Sequence, residues 1–134
     1  MIQTAIKYAW KFVGVPYEWG GDNSQGLDCS GFVGVILRGV GIMGNREDLT
    51  AQGMFNAFSH TETKVAKAGN ICFYGKSINE ISHVAFMVDD EHILEAGGGG
   101  SRTLSETDAD RDNAFVRLRP YDYRKIVAMV HPLS

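Results

Sequence analysis

Cysteine is scarce in this chain. Its two thiols, Cys29 and Cys72, allow one disulfide at most and form no C-x-x-C arrangement, which excludes a disulfide-stapled scaffold and leaves no zinc-ribbon or redox signature. Neither sign of charge dominates: 13 basic against 16 acidic residues leave a net charge of −3, so there is no basic field on which sequence-independent nucleic-acid binding could rest. No run of about 18 apolar residues occurs, which excludes a membrane-spanning helix. The first residues, Met1-Ile2-Gln3-Thr4-Ala5-Ile6-Lys7, lack a basic n-region, a long apolar core and a small-residue cleavage site. The 134 residues are expected to form one domain, 1–134, large enough for a core without staples, and they show no internal repeat.

What is present divides into helical and extended patterns. Ile2, Ala5, Ile6, Ala9, Trp10, Phe12 and Val13 recur at helical spacing until Gly14 and Pro16 supply a stop. Residues 15–27 read as a Gly-, Asn- and Ser-rich loop, and apolar content resumes from Cys29 to Leu37, a second, buried helix ended by Gly39 and Gly41. Thr50 as an N-cap predicts a short third helix from Ala51 to Phe58. Thereafter the period changes. Ile71–Tyr74, Ser82–Val88, His92–Ala96, Ala114–Arg119 and Lys125–Val130 are short β-like runs between turn residues. Helices first and strands afterwards predict an α+β fold, N-terminal helices on an antiparallel sheet of about five strands. The glycine run Gly97–Gly100 with Ser101, and the acidic stretch Ser105–Asp112, are expected to be surface connections between strands.

The chemistry concentrates at Cys29. In Gly26-Leu27-Asp28-Cys29-Ser30-Gly31-Phe32-Val33 the cysteine stands between turn formers and an apolar helical run, which places it in the first turn of a helix. Unpaired N–H groups and the positive end of the helix dipole favour an anion there, the condition that makes a thiol nucleophilic. Cys72, within Ile71-Cys72-Phe73-Tyr74, reads as a packing residue on a strand. A nucleophilic thiol needs a base, and His83 on the alternating segment Ile81–Val88 is the best candidate. Alternation puts His83, Ala85 and Met87 on one face and Val84, Phe86 and Val88 on the other, so the imidazole faces small or flexible neighbours that leave room for a helix end. A satisfied structural histidine is the bland alternative.

A third group must orient the imidazole, and the hairpin around Asp89-Asp90-Glu91 offers His92 and Glu95. If those three residues form the loop, Val88 pairs with His92 and Ala85 with Glu95. Glu95 then lies on the face of His83 and diagonal to it, about 7 to 8 Å away and within reach. A two-residue loop would put His92 on that face but roughly 13 Å along the strand. Glu95 is therefore preferred, an exposed hairpin carboxylate being the competing view because register depends on turn detail. Such a carboxylate fixes the ring tautomer and favours the imidazolium, which favours a thiolate at Cys29. The Cys29 backbone N–H is suited to a tetrahedral oxyanion, with the Tyr17 hydroxyl as a possible second donor. A zinc site would have to gather Cys29, His83, His92 and the Asp89-Asp90 pair, but the hairpin keeps the histidines apart and no H-x-x-x-H or H-x-E pattern exists.

Several blocks occur in one order: Pro16-Tyr17-Glu18-Trp19-Gly20-Gly21, Leu27-Asp28-Cys29-Ser30-Gly31-Phe32-Val33, Ala68-Gly69-Asn70-Ile71-Cys72-Phe73-Tyr74, Ser82-His83-Val84-Ala85-Phe86 and Ile93-Leu94-Glu95-Ala96. This order resembles the NlpC-type cell-wall peptidases, a papain-like family, over nearly the whole chain. The resemblance implies that Cys29 is the nucleophile, His83 the base and Glu95 the orienting residue, where the family usually has histidine, and sometimes asparagine or glutamine. It further implies that Tyr17, Asp28, Ser30 and Ser82 line or shape the substrate pocket. Asn70 departs from the aspartate often found after that glycine, a change expected to affect local structure only.

The implied activity is hydrolysis of an amide bond in the peptidoglycan stem peptide, most often D-glutamyl to diaminopimelate or lysine, through a thioester acyl-enzyme and without a cofactor. The same site could serve an N-acetylmuramoyl-L-alanine amidase or an acyltransferase, and a non-catalytic wall-binding module is the alternative from another class. The expected partner is the stem peptide, with no nucleic acid or membrane, for a chain acting as a monomer. The expected place of action is the bacterial cell wall, reached as a phage-associated, delivered or lysis-released enzyme, a cytoplasmic location being the alternative.

Overall fold

The computed structural model describes residues 1–16, 22, 23, 26–97 and 115–133. Three helices come first: α1 (Ile2–Trp10), α2 (Cys29–Gly39) and α3 (Ala51–Phe58). Between α1 and α2 the two-residue strands β1 (Asp22–Asn23) and β2 (Gly26–Leu27) pair antiparallel. After a short 3-10 turn (Ser59–Thr61) come the strands β3 (Glu62–Thr63), β4 (Ile71–Gly75), β5 (Ile81–Met87), β6 (His92–Gly97), β7 (Phe115–Pro120) and β8 (Ile126–Val130). These six strands form one sheet in the order β3-β8-β4-β5-β6-β7. The three helices and five longer strands stand where the sequence places them. β3 makes the sheet six strands rather than about five, because a two-residue strand is too short to show a period of two. The predicted surface connection at residues 98–101 and the acidic stretch 105–112 lie outside the described residues.

Helix starts follow from their caps. Thr50 accepts the Gly53 N–H at 3.0 Å to open α3, and Asp28 accepts the Gly31 N–H at 2.6 Å to open α2. α2 is apolar nearly all round, and Phe32, Val33, Ile36 and Leu37 are fully buried. They pack with Ile71, Phe73, Val84, Phe86, Leu94 and Ala96 of the sheet in the main core. Full burial of side chains of this size is worth roughly 2 to 3 kcal/mol each. α1 adds Ala5 and Ala9, with Phe12 edge-on to Phe32 at 6.1 Å between ring centres. The opposite face of the sheet carries a smaller cluster of Cys72, Tyr74, Ala85, Met87, Ile93 and Met129. β4 is covered on both sides, which is why its sequence is continuously apolar rather than alternating.

One irregularity positions the site. Tyr74 pairs with His83 but Gly75 pairs with Ile81, so Ser82 is an extra residue on β5. This β-bulge breaks the alternation. Ile81 joins the main core together with Val84, whereas His83 stands opposite Tyr74 on the other face.

Candidate active site

Cys29 is the first residue of α2 and half-buried. It is presented by its neighbours: Asp28 caps the helix through its carboxylate, Ser30 Oγ donates to the same Asp28 oxygen at 3.3 Å, and the first helical bond runs from the Phe32 N–H to the Asp28 carbonyl at 2.9 Å. The Cys29 N–H therefore precedes the intrahelical ladder, where amides are available to an anion. Asp28 and Ser30, expected at the substrate pocket, serve here to fix the turn that carries the thiol. Ser82 is exposed at the bulge beside His83. Tyr17 lies outside the described residues.

α2 packs on the Val84 and Phe86 face of the sheet, while His83, near the start of β5, projects from the other. Cys29 lies close enough to the ring to favour its protonated form. The surface around His83 is not lined only by small or flexible residues, as alternation suggested. The Tyr74 ring stands 5.6 Å from the imidazole and the Tyr123 ring 6.1 Å from Tyr74, supplied by a neighbouring strand and a turn that the β5 pattern does not report.

The β5–β6 hairpin has the three-residue loop 89–91, with Phe86 opposite Leu94, Met87 opposite Ile93 and the Val88 N–H on the His92 carbonyl at 3.0 Å. That register carries Glu95 to His83, whose Nε2 lies 2.8 Å from Oε1 of Glu95. With Nε2 so engaged, Nδ1 is the nitrogen left for the thiol. His92 stays at the hairpin end, 3.0 Å from Asp89.

Glu95 is fully buried. Besides His83, its carboxylate accepts from the Tyr123 hydroxyl at 2.7 and 2.9 Å and from Arg117 Nε at 3.3 Å. Gly97, next on the same face, leaves room for it: a Cβ there would stand 2.9 Å from Glu95 Oε2. Burial alone would raise the Glu95 pKa, but the bond and charge of His83, the Tyr123 bond and the charge of Arg117 outweigh it and hold the group below its ordinary value, as a carboxylate. Burial likewise opposes the charged form of His83, yet its hydrogen bonds to Cys29 and Glu95, and their charges, raise it to about 9. Around neutral pH the ring is therefore an imidazolium. Cys72 is different: burial pushes its thiol up to about 12, despite a bond with Tyr74, so it remains an inert packing residue.

Arg117 and Tyr123 are the members that sequence reading missed. Arg117 stands directly across from Glu95 on β7, but the connection from β6 is too long for residue counting to fix that register. Tyr123 reaches back from the turn after β7 and carries no pattern. A cleft of about 440 Å³ lined by Thr4, Lys7, Tyr8, Lys11, Gly39 and Val40 lies at the opposite end of α2 from Cys29.

Residues 14–115 match the NlpC/P60 family. The chain belongs to the NlpC/P60 family. It is 31% identical over 114 residues to the peptidoglycan endopeptidase RipB of Mycobacterium tuberculosis, covering 75% of this chain and 45% of that protein. It is 35% identical over 101 residues to the bifunctional muramidase/DL-endopeptidase CwlT of Bacillus subtilis, covering 73% and 30%. It is also 31% identical over 112 residues to the γ-D-glutamyl-L-lysine dipeptidyl-peptidase of the same organism, covering 79% and 37%. The chain thus spans less than half the length of these curated relatives. The crystal structure of the NlpC/P60 domain of the peptidoglycan hydrolase SagA superposes with a TM-score of 0.75 at 23% identity, covering 97% of each chain. RipD of M. tuberculosis, described as a non-catalytic NlpC/P60 domain protein adapted to peptidoglycan binding, superposes with a TM-score of 0.67 at 19% identity, covering 99% of this chain and 98% of that one. The NlpC/P60 fold thus accounts for the helices packed on an antiparallel sheet. No helix among the described residues is long and apolar enough to cross a membrane.

Proposed function

We propose that this chain is a cysteine endopeptidase of the bacterial cell wall, cutting the D-glutamyl to diaminopimelate or lysine bond of the stem peptide. The observation that carries this reading is the 2.8 Å bond between His83 and the buried carboxylate of Glu95, with Cys29 at a helix start near enough to the ring to raise its pKa. The names of the relatives, endopeptidases of peptidoglycan, support the substrate class.

The thiolate of Cys29 attacks the amide carbonyl carbon, and the electron pair moves to oxygen. The Cys29 N–H donates to that oxyanion, with the Tyr17 hydroxyl as a second donor. On collapse the C–N bond breaks, the His83 imidazolium gives its proton to the leaving amine, and a thioester remains. The ring, now neutral, takes a proton from water, whose oxygen attacks the thioester. The new carboxylic acid leaves, its remaining proton passing to solvent, and the thiolate–imidazolium pair is restored. Glu95 holds the ring in the orientation that serves both proton transfers. Asp28 and Ser30 shape the entry to the site by fixing the first turn of α2, and Ser82, next to His83 in the chain, contributes to the substrate pocket. The domain, 1–134, acts at the wall on the stem peptide.

Incubation with defined stem peptides, read by mass spectrometry, tests the assignment. The expected products are a fragment ending in D-glutamate and one beginning with diaminopimelate or lysine. Cleavage between muramic acid and L-alanine would instead mark an amidase, transfer to an added amine an acyltransferase, and intact substrate bound without turnover a wall-binding module.

A further inference from the structure

A carboxylate removed from water must be compensated by donors and charge, or it takes up a proton. At Glu95 the compensation comes from three directions: His83 on β5, Arg117 on β7, and Tyr123 in the turn that follows. Arg117 is the residue directly opposite Glu95 in the β6–β7 ladder, and its side chain is mostly covered, 27% exposed. The single hydroxyl proton of Tyr123 is shared between both carboxylate oxygens, at 2.7 and 2.9 Å, which fixes the plane of the group. Resting on the reading of Cys29 and His83 as nucleophile and acid–base partner, we propose that Arg117 and Tyr123 are positioning residues for that reaction: they aim and attenuate the Glu95 carboxylate, so that it orients His83 without taking its proton.

The charge arrangement supports a tuned rather than a merely filled site. Glu95 and Arg117 together are neutral, so His83 and Cys29 do not face an extra buried anion. Left alone against the ring, the carboxylate would hold the imidazolium proton too firmly for donation to a leaving amine. Among the described residues, the other ionisable groups around the ring are Cys29 from α2, Tyr74 from β4 and Arg124, whose guanidinium lies 5.4 Å from the centre of the Tyr74 ring. Both phenols keep their protons. Burial, followed by the charges of Cys72 and Glu95, raises Tyr74, and burial, followed by the bond and charge of Glu95, raises Tyr123. Neither therefore changes charge where an imidazole titrates.

The test follows the His83 ring by NMR across the pH range, assigned with a His83→Gln protein, alongside kcat and KM on a stem peptide. Arg117→Gln and Tyr123→Phe remove attenuation, so the His83 midpoint is expected to rise, by about half a unit or more for Arg117→Gln. Glu95→Gln removes the anion, and the midpoint is expected to fall. In Arg117→Gln, kcat should drop about tenfold with KM little changed, and Arg117→Lys should recover part of it. Arg119→Gln, the same charge loss at an exposed position of the same strand, should leave the midpoint in place. A midpoint that falls or stays fixed in Arg117→Gln and Tyr123→Phe overturns the proposal, because loss of mere packing support frees Glu95 from the ring. If the wild type cleaves no stem peptide, the functional reading fails by itself, and the ring titration still decides whether Arg117 and Tyr123 tune His83.

Discussion

His83 Nε2 lies 2.8 Å from Glu95 Oε1 across two strands that do not place them directly opposite each other. The hairpin register runs Phe86 with Leu94 and Met87 with Ile93, which sets Glu95 against Ala85 and makes His83 its diagonal neighbour. A small residue at 85 leaves the glutamate free to lean along the strand. The contact therefore depends on the length of the loop at 89–91, since a slip of one residue would turn Glu95 to the other face.

Stability should carry the mark of this pair. His83 is raised from 6.5 to about 9, so its contribution is complete below about pH 6.5 and is lost as the pH rises through about 9. Glu95 is lowered from 4.5, so its contribution is present above pH 4.5 and is lost as the pH falls through its depressed value. Melting temperature should be highest between those limits and fall on the alkaline side. The His83 share is on the order of 3 kcal/mol. Thermal unfolding of wild type and His83→Gln from pH 5 to 10 checks this, and the alkaline decline should flatten in the variant.

The cap of α2 can be separated from the chemistry it supports. Asp28→Ala deletes the acceptor of the Gly31 N–H and should cost about 1 kcal/mol. It should also lower activity by more than the lost stability explains, because the first turn presents Cys29. Asp28→Asn keeps an acceptor at the N-cap and should recover most of the stability in chemical denaturation.

Gly75 tests the bulge. A Cβ there would clash with the Glu80 carbonyl oxygen and stand 2.9 Å from Ile81 Cα, both backbone atoms. Gly75→Ala is expected to destabilise by about 2 kcal/mol or more and to reduce peptidase activity, since the extra residue Ser82 aims His83. Melting temperature and kcat/KM measured together check it. An unchanged kcat/KM would mean that the bulge does not set the ring.

Much of this site is legible in the chain because its signals are local. The capped first turn marks Cys29, alternation marks β5, and a three-residue turn brings Glu95 within reach of His83. What escapes the sequence is long-range. Arg117 reaches Glu95 only through a strand pairing whose connecting segment hides the register, and Tyr123 arrives from a turn. Ser82 could not be recognised as a bulge because the pattern Ile81, His83, Ala85 alternates without interruption. Only the pairing of Ile81 with Gly75 reveals the change of face. Asn70, although buried, is satisfied locally: its amide donates to the Val65 carbonyl at 2.8 Å and its oxygen lies 2.7 Å from His131 Nδ1.

The most direct measurement is the appearance of new amino groups in purified peptidoglycan treated with wild type and with Cys29→Ala, both verified as folded by their melting temperatures. Wild type is expected to release them, and Cys29→Ala to fall by roughly a thousandfold or more. Release by Cys29→Ala at the wild-type rate would contradict thiol catalysis at this site.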